Sequence, residues 1–259
     1  MLRTVGIWVG LIVVFLVVYS VFQQGAAQEM PSWFFTGFIP LVFMGLFFFF
    51  VSRQRSAYKV NNDALAQLAE GRVLEALAAF EMAKTKMRNP LPIMNIGYTQ
   101  LLLWRVHDAV ANLETFARKT GSLTGVPGGE RLVAPSAALG HALLGNADAA
   151  KKWIAQSPGP ATAKLAEIVL ACRAGDFAEA SRLLQANEVI LDQLGGSMRA
   201  LAEALSAYVA SKTGGRGGNV DPVRMFRESS ADAFKTVWPE FHDFIQRATS
   251  GPAQPLPGT

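Results

Sequence analysis

One pattern of residue spacing recurs four times between residues 71 and 187. The first copy, GRVLEALAAFEMA from Gly71, and the last, GDFAEASRLLQAN from Gly175, place an Ala five residues after the glycine and a large apolar residue four beyond it. Looser copies begin at Trp104 and Gly145. The four starting positions are about 30 to 40 residues apart, a period that is typical of repeats built from one pair of helices.

Apolar residues at helical spacing flank each copy. This pattern predicts a first helix that ends at the opening residue and a second helix that starts just after it. Glycine at 71, 145 and 175 suits the left-handed residue that closes a helix. The two helices of a pair are expected to approach most closely at Ala76, Ala109, Ala150 and Ala180. Residues 120–131, TGSLTGVPGGER, are predicted to form a flexible loop between the second and third pairs.

The repeated pattern resembles the tetratricopeptide repeat (TPR) family over residues 58–187. Asn95-Ile96-Gly97-Tyr98 is similar to the N-L-G-x-x-Y of that family, whereas Trp104 stands where the family has its turn glycine. The resemblance implies an all-α fold, with a right-handed α-solenoid of helix pairs over residues 53–212; a helical bundle without repeats is the alternative. The matching positions are Gly71, Ala76, Phe80 and Ala83; Ile96, Gly97, Ala109, Leu113 and Phe116; Gly145, Ala150 and Ile154; and Gly175, Ala180 and Leu184.

Two uncharged apolar stretches precede the repeats. Residues 5–22 and 33–51 contain no charged side chain, and as helices they would be about 27 and 29 Å long, close to the thickness of the hydrocarbon core. They predict two transmembrane helices, a membrane hairpin within residues 1–52. The alternative for the first stretch is a cleaved signal peptide, because Gly25-Ala26-Ala27 resembles a cleavage site.

The positions of basic residues predict the topology of this hairpin. Arg3 precedes the first stretch, Arg53, Arg55 and Lys59 follow the second, and the connecting loop has no Lys or Arg. The positive-inside rule therefore places both termini and the repeat region in the cytoplasm. An Ala-rich composition with a hairpin anchor favours a bacterial inner membrane. These basic residues, and those at 84, 86 and 88, are interpreted as topology determinants and a solvated helix end rather than as a lipid-binding surface.

The chain beyond residue 187 is also predicted to be helical. Residues 197–212 carry one apolar stripe, 214–219 (GGRGGN) form a flexible link, and Asp221-Pro222 is typical of a helix start. Residues 213–248 are predicted to be closing helices, broken at Pro239, and 249–259 a disordered tail. An aromatic run in this region is interpreted as a cap on the open end of the solenoid, with a partner site as the alternative: Phe226, Phe234, Trp238, Phe241 and Phe244.

The chain shows no catalytic constellation. Tyr208 and Lys212 match the Tyr-x-x-x-Lys of short-chain dehydrogenases, but no upstream strand and glycine-rich turn accompany them. Three scattered histidines, at 107, 141 and 242, are interpreted as turn or surface residues, and Cys172 as a small core residue. A net charge of +4 without a basic cluster does not indicate nucleic-acid binding. We expect no enzyme activity, no metal, no cofactor and no small-molecule substrate.

The remaining function class is binding, because a solenoid of helix pairs lines a concave groove with its first helices. By analogy with the TPR family, the residues expected to face this groove are Tyr58, Asn61, Asn62, Leu65, Asn95, Tyr98, Leu102, Ser136, Leu139 and Arg173. Asn and Tyr there would hold an extended peptide, although local backbone capping is the alternative role. The sequence thus predicts a non-enzymatic scaffold that tethers a protein or peptide partner to the lipid bilayer. The alternative is a structural subunit or assembly factor whose transmembrane helices make the main contacts.

Overall fold

A computed structural model describes residue 20 and residues 39–87, 89–121, 128–157, 159–215 and 220–249. Every regular element in these ranges is a helix, which confirms the all-α prediction. The chain divides into two compact units, Met1–Lys59 and Val60–Thr259. The predicted span 5–22, apart from Ser20, and the tail beyond Thr249 lie outside the described residues.

The first described helix, α1 (Ile39–Ala69), contains most of the second predicted span, and the boundary between the two units falls inside it. Within the first unit, its apolar side chains are exposed on consecutive positions, with Leu41 69%, Phe48 61% and Phe49 60% accessible. Of the helices that the structure describes, none combines the length and the apolar character needed to cross a membrane.

Seven further helices complete four helix pairs in the second unit. They are α2 (Val73–Lys86), α3 (Leu91–Leu102), α4 (Val106–Gly121), α5 (Gly129–Leu143), α6 (Ala147–Gln156), α7 (Ala161–Arg173) and α8 (Phe177–Ala186). The pairs are α1–α2, α3–α4, α5–α6 and α7–α8. The predicted loop at 120–131 is shorter than expected, because α4 extends to Gly121 and α5 already begins at Gly129; residues 122–127 lie outside the description.

The turn inside each pair has the same backbone geometry. The second residue after the first helix, which we call the turn residue, is left-handed in every pair. Its φ is 80° at Gly71, 58° at Trp104, 78° at Gly145 and 75° at Gly175. Its amide donates to the carbonyl three residues back, and the next amide donates to the carbonyl five residues back, at 2.9–3.1 Å. These two bonds are the Schellman motif, which satisfies the last carbonyls of a helix. The predicted left-handed closure is confirmed at the three glycines, and Trp104 adopts it despite its side chain.

The alanine that follows each turn is fully buried. Ala76, Ala109, Ala150 and Ala180 are all 0% exposed, and each amide donates to the carbonyl four residues back at 2.9–3.0 Å. In the second pair, a Cβ added to Gly97 of α3 would lie 3.1 Å from the carbonyl oxygen of Ala109 and 2.9 Å from Leu113 Cγ. The predicted close approach of the two helices is therefore present there, and no larger side chain fits at Gly97 without a shift.

The C-terminal part of the chain contains five more helices. They are α9 (Glu188–Leu191), α10 (Gly196–Thr213), α11 (Pro222–Met225), α12 (Ala231–Val237) and α13 (Pro239–Thr249). Asp221 caps α11 as predicted, because its side chain accepts a bond from the Arg224 amide at 2.9 Å. We call α10–α13 and their connections, residues 196–249, the C-terminal layer.

The C-terminal layer contacts the turns of the first two pairs. The Leu74 amide, at the start of α2, donates to Glu228 Oε2 at 2.7 Å. Glu228 thus caps a helix whose own N-cap residue, Arg72, makes no capping hydrogen bond with its side chain. At the second turn, Trp104 Nε1 donates to the Met225 carbonyl at 2.8 Å, and its ring meets Phe234 edge to face at 5.1 Å.

Arg173 extends this contact to the third and fourth pairs. Its guanidinium donates to the Leu143 carbonyl at the end of α5 and to the Val237 carbonyl at 2.5 Å, and it lies 4.8 Å from the centre of the Trp238 ring. Both carbonyls end a helix, where a cation is favoured by the helix dipole. The layer therefore runs along the turns of all four pairs and does not cover only the last one.

The aromatic run of the C-terminal layer belongs to the interior of the second unit. Three of its rings, Trp238, Phe241 and Phe244, meet Tyr208 edge to face, and Tyr208 is 2% exposed. The other two, Phe226 and Phe234, meet each other edge to face. Phe234 and Phe241 are 0% exposed and Trp238 is 4% exposed, with the remaining two half-buried. The rings consequently serve as core, and they are not a free surface for a partner.

We expect Trp104→Gly to lower the free energy of unfolding by about 2–4 kcal/mol. Removal of a fully buried Trp costs about 3–5 kcal/mol, and relief of its left-handed backbone returns about 1 kcal/mol. Urea unfolding of the full chain, followed by circular dichroism at 222 nm, measures the change. Equal or higher stability of the variant would show that the contact of Trp104 with the C-terminal layer does not stabilise the fold.

Gly175→Ala separates the backbone contribution from packing. A Cβ at this position has nothing within 4 Å, so the left-handed φ of 75° is the only source of cost. We expect a loss of about 1–2 kcal/mol in the same unfolding measurement. A loss below about 0.3 kcal/mol would show that this turn does not need a left-handed residue.

Candidate binding groove

The predicted groove residues recur at fixed positions before the turn residue of each pair. Because the four turns share one geometry, residues at the same distance from the turn are structurally equivalent. Asn62, Asn95 and Ser136 lie nine residues before the turn residue of their pair. Leu65, Tyr98 and Leu139 lie six residues before it, and Leu102 and Arg173 lie two residues before it.

The position six residues before the turn is open in the first two pairs and closed in the last two. Leu65 and Tyr98 are 43% and 38% exposed, and Asn62 is also exposed. Leu139 and Val169, their equivalents in the third and fourth pairs, are 0% exposed. The prediction that Leu139 faces a groove is therefore wrong, and the candidate groove is confined to the first helices of pairs one and two.

Helix α10 marks where the groove ends. Leu139 and Val169 belong to one continuous apolar cluster with Leu205 of α10. In addition, Ser197 Oγ, in the first turn of α10, donates to the Leu102 carbonyl at 3.5 Å. The surface beyond Leu102 is thus part of the core that α10 shares with the later pairs.

Two buried amides join the first helices of pairs one and two. Asn95 Nδ2 donates to Asn61 Oδ1 at 3.0 Å, with the two residues 8% and 6% exposed. Within the described chain, Asn61 Nδ2 and Asn95 Oδ1 make no further hydrogen bond, and neither is among the fully buried atoms that lack a partner. The Asn61 Nδ2 donor and the Asn95 Oδ1 acceptor therefore stay unbonded and retain some contact with the surface. A peptide group offers the complementary acceptor and donor.

Tyr98 lies one helical turn beyond Asn95 on α3. Burial raises the pKa of the Tyr98 phenol, although 38% of the residue remains exposed. The Tyr98 ring is therefore partly covered by protein and partly accessible. Leu65 of α1 and the half-buried Leu102, one turn beyond Tyr98 on α3, are further apolar side chains on the first helices of pairs one and two.

The other predicted groove residues lie elsewhere. Tyr58 belongs to the first unit and is described with it. Ser136 is half-buried in the third pair, one helical turn before the buried Leu139. The guanidinium of Arg173 is already bonded to Leu143 and Val237, and burial lowers its pKa, so Arg173 is a structural residue of the C-terminal layer.

Sequence reasoning missed a second amide pair, Gln100 and Asn112. Asn112 Nδ2 donates to Gln100 Oε1 at 2.9 Å and to the Asp108 carbonyl at 3.1 Å. The bond joins the two helices of the second pair. Polar residues at helical spacing on two partner helices were the only available signal.

The Tyr208–Lys212 motif fastens α13 to α10. The Tyr208 hydroxyl donates to Glu240 Oε1 at 2.6 Å, and Lys212 Nζ donates to the same atom at 3.0 Å. Lys212 also lies over the Tyr208 and Phe177 rings, at 5.3 and 5.7 Å from their centres. Both polar groups of the motif are thus engaged in packing between helices.

The histidines divide into one exposed and two buried residues. His107 is exposed as predicted, but His141 and His242 are 7% and 6% exposed, so their assignment to turns or surface is wrong. His141 Nε2 lies 3.0 Å from Glu114 Oε1, which links α5 to α4. Cys172 is buried, and burial raises the pKa of its thiol to about 12, consistent with an unreactive core residue.

Comparison with known proteins adds no assignment to this geometry. No protein-family model, curated protein or solved structure matches the chain. The site is therefore interpreted from its own residues.

We expect the bond between Tyr208 and Glu240 to make stability depend on pH. Hydrogen bonds from Tyr208 and then Lys212 hold the pKa of Glu240 below its usual value. A carboxylate with a lowered folded pKa stabilises the fold above its ordinary pKa of about 4.3, and this stabilisation is lost as pH falls through the folded value. Glu240→Gln should thus lower the melting temperature at pH 7, and the difference from wild type should vanish toward pH 3.

Thermal unfolding of both proteins from pH 3 to pH 7 measures this difference. Glu188→Gln, which changes an exposed carboxylate on α9, is the matched control and should show no such pH-dependent gap. A gap for Glu240→Gln that is constant across the range would contradict the assignment.

Proposed function

We propose that the chain is a membrane-anchored, non-enzymatic scaffold of TPR-like helix pairs. Its groove, over the first helices of pairs one and two, binds an extended segment of a protein or peptide partner. The observation that carries this function is the bonded pair Asn61–Asn95, which leaves one donor and one acceptor unbonded on the same two helices as the partly exposed Leu65 and Tyr98.

The regular turns support the TPR-like assignment. Four pairs close with the same left-handed residue and the same two hydrogen bonds, and each has a buried alanine at the same position after the turn. A right-handed α-solenoid is the arrangement that such a repeat favours. The first helices then line one surface, which is where Asn61 and Asn95 meet.

The first unit supports the anchor. Exposed apolar side chains at consecutive positions of a helix have no favourable place in water, and lipid is the environment that suits them. With the basic residues that follow, we place the repeat region and both termini on the cytoplasmic side of a bacterial inner membrane.

The same exposed segment favours a second candidate function. Leu41, Phe48 and Phe49 would also suit contacts with other membrane helices, which would make the chain a structural subunit or assembly factor of a larger complex. In that case the apolar segment, and not the groove, makes the main partner contacts.

Site-specific photo-crosslinking in intact membranes distinguishes the two functions. A benzophenone amino acid replaces Tyr98 in the groove, Phe48 in the apolar segment, or the 79% exposed Val189 as a control. The groove function predicts one dominant protein adduct at Tyr98 that is absent at Val189. Adducts confined to Phe48 would favour the subunit function and contradict the groove.

The paired variant Asn61→Ala/Asn95→Ala tests the Asn pair. We expect the Tyr98 adduct to fall about tenfold, since two hydrogen bonds at about 0.5–1.5 kcal/mol each are removed. Asn112→Ala removes an amide outside the groove and should leave the adduct unchanged. An undiminished adduct in the paired variant, with unaltered melting temperature, would show that the Asn pair does not bind the partner.

A further inference from the structure

The sequence pattern alone favours a purely topological role for the basic residues after the apolar segment; from the structure we propose instead that Arg55 and Lys59 of the first unit also bind the headgroups of anionic phospholipids. The inference rests on the proposed membrane anchor and specifies the lipid class that it selects. The surface consists of the exposed side chains of α1 directly after its apolar segment.

Charge is one-sided in this part of the chain. Between Glu29 and Asp63 the sequence contains Arg53, Arg55 and Lys59 and no acidic residue. Arg55 and Lys59 are both exposed and lie four residues apart on one continuous helix, hence on the same face. Asp63, the next acidic residue along the chain, is exposed four residues beyond Lys59. The part of α1 that directly follows the apolar segment therefore carries an excess of positive charge, which complements an anionic headgroup.

The described part of the chain offers no ion-pair partner to these two charges. In the ranges that the structure describes, neither Arg55 nor Lys59 has an acidic group within ion-pair distance. Other lysines of the chain differ: Lys84 lies 3.5 Å from Glu81, and Lys212 lies 3.0 Å from Glu240. The charges near the apolar segment are therefore available to an external anion.

Along α1, Arg55 lies at the depth of the headgroup layer and Lys59 lies just beyond it. The apolar run ends at Val51, and at 1.5 Å per residue Arg55 lies about 6 Å and Lys59 about 12 Å farther along the helix axis. The headgroup region extends about 5–8 Å beyond the hydrocarbon on each side. Long basic side chains reach back toward this layer while their methylene groups cover the apolar boundary. Phospholipid phosphate is the anion present at that depth.

Lipid enrichment by the full-length protein tests the proposal. Wild type, Arg55→Gln/Lys59→Gln and the control Lys151→Gln/Lys152→Gln are incubated in mixed detergent micelles with equal amounts of phosphatidylglycerol and phosphatidylcholine. Each protein is re-isolated, and its retained lipids are quantified by mass spectrometry. The control removes the same charge from exposed residues of α6 in the second unit.

We expect wild type and the control to retain more phosphatidylglycerol than phosphatidylcholine. In the Arg55→Gln/Lys59→Gln variant, the ratio of retained phosphatidylglycerol to phosphatidylcholine should fall about fivefold for each charge removed. Total retained lipid should stay the same in all three proteins. Equal retention of both lipids by wild type, or an enrichment that survives in the variant, would overturn the proposal while leaving the anchor intact. Wild type that retains no lipid at all would overturn both the anchor and the headgroup site.

Discussion

The close approach of two helices at a buried alanine is the contact on which the second unit depends. A left-handed residue ends the first helix, two Schellman bonds satisfy its carbonyls, and the alanine permits the second helix to pack against the first. All three conditions are met within about ten residues of sequence, so each pair is specified locally. The four pairs then form one surface because the same local solution recurs.

Trp104 shows how one position can deviate from this solution and serve another purpose. A non-glycine residue at φ 58° is strained, yet the Trp ring is 1% exposed and its indole donates to the Met225 carbonyl. Burial of a large ring stabilises by more than the strained backbone costs. The same residue lies in the turn two residues after α3, which carries Asn95 and Tyr98. The C-terminal layer is therefore joined to the helix that forms the candidate groove.

Local sequence rules predicted the helices and turns well but not which surfaces stay open. Leu65 and Leu139 have the same side chain at equivalent positions, and only the long-range packing of the later pairs with α10 makes the second 0% exposed and leaves the first 43% exposed. Arg173 was assigned to the groove for its charge, although two distant carbonyls determine its position. Glu228, a cap for a helix 154 residues away, has no local signal at all. Patterns in a single sequence do not show which residues distant along the chain come into contact.

A groove restricted to two pairs has consequences for the proposed function. It presents one donor, one acceptor and a few apolar side chains, so an extended segment bound there buries little area and binds weakly. Attachment of the scaffold to a membrane changes this balance, because a partner held on the same surface meets the groove at a high effective concentration. The anchor and the short groove are then complementary: the groove supplies selectivity, and confinement to the membrane supplies occupancy. By the same reasoning, a freely diffusing partner would need a longer contact surface than the open part of this groove provides.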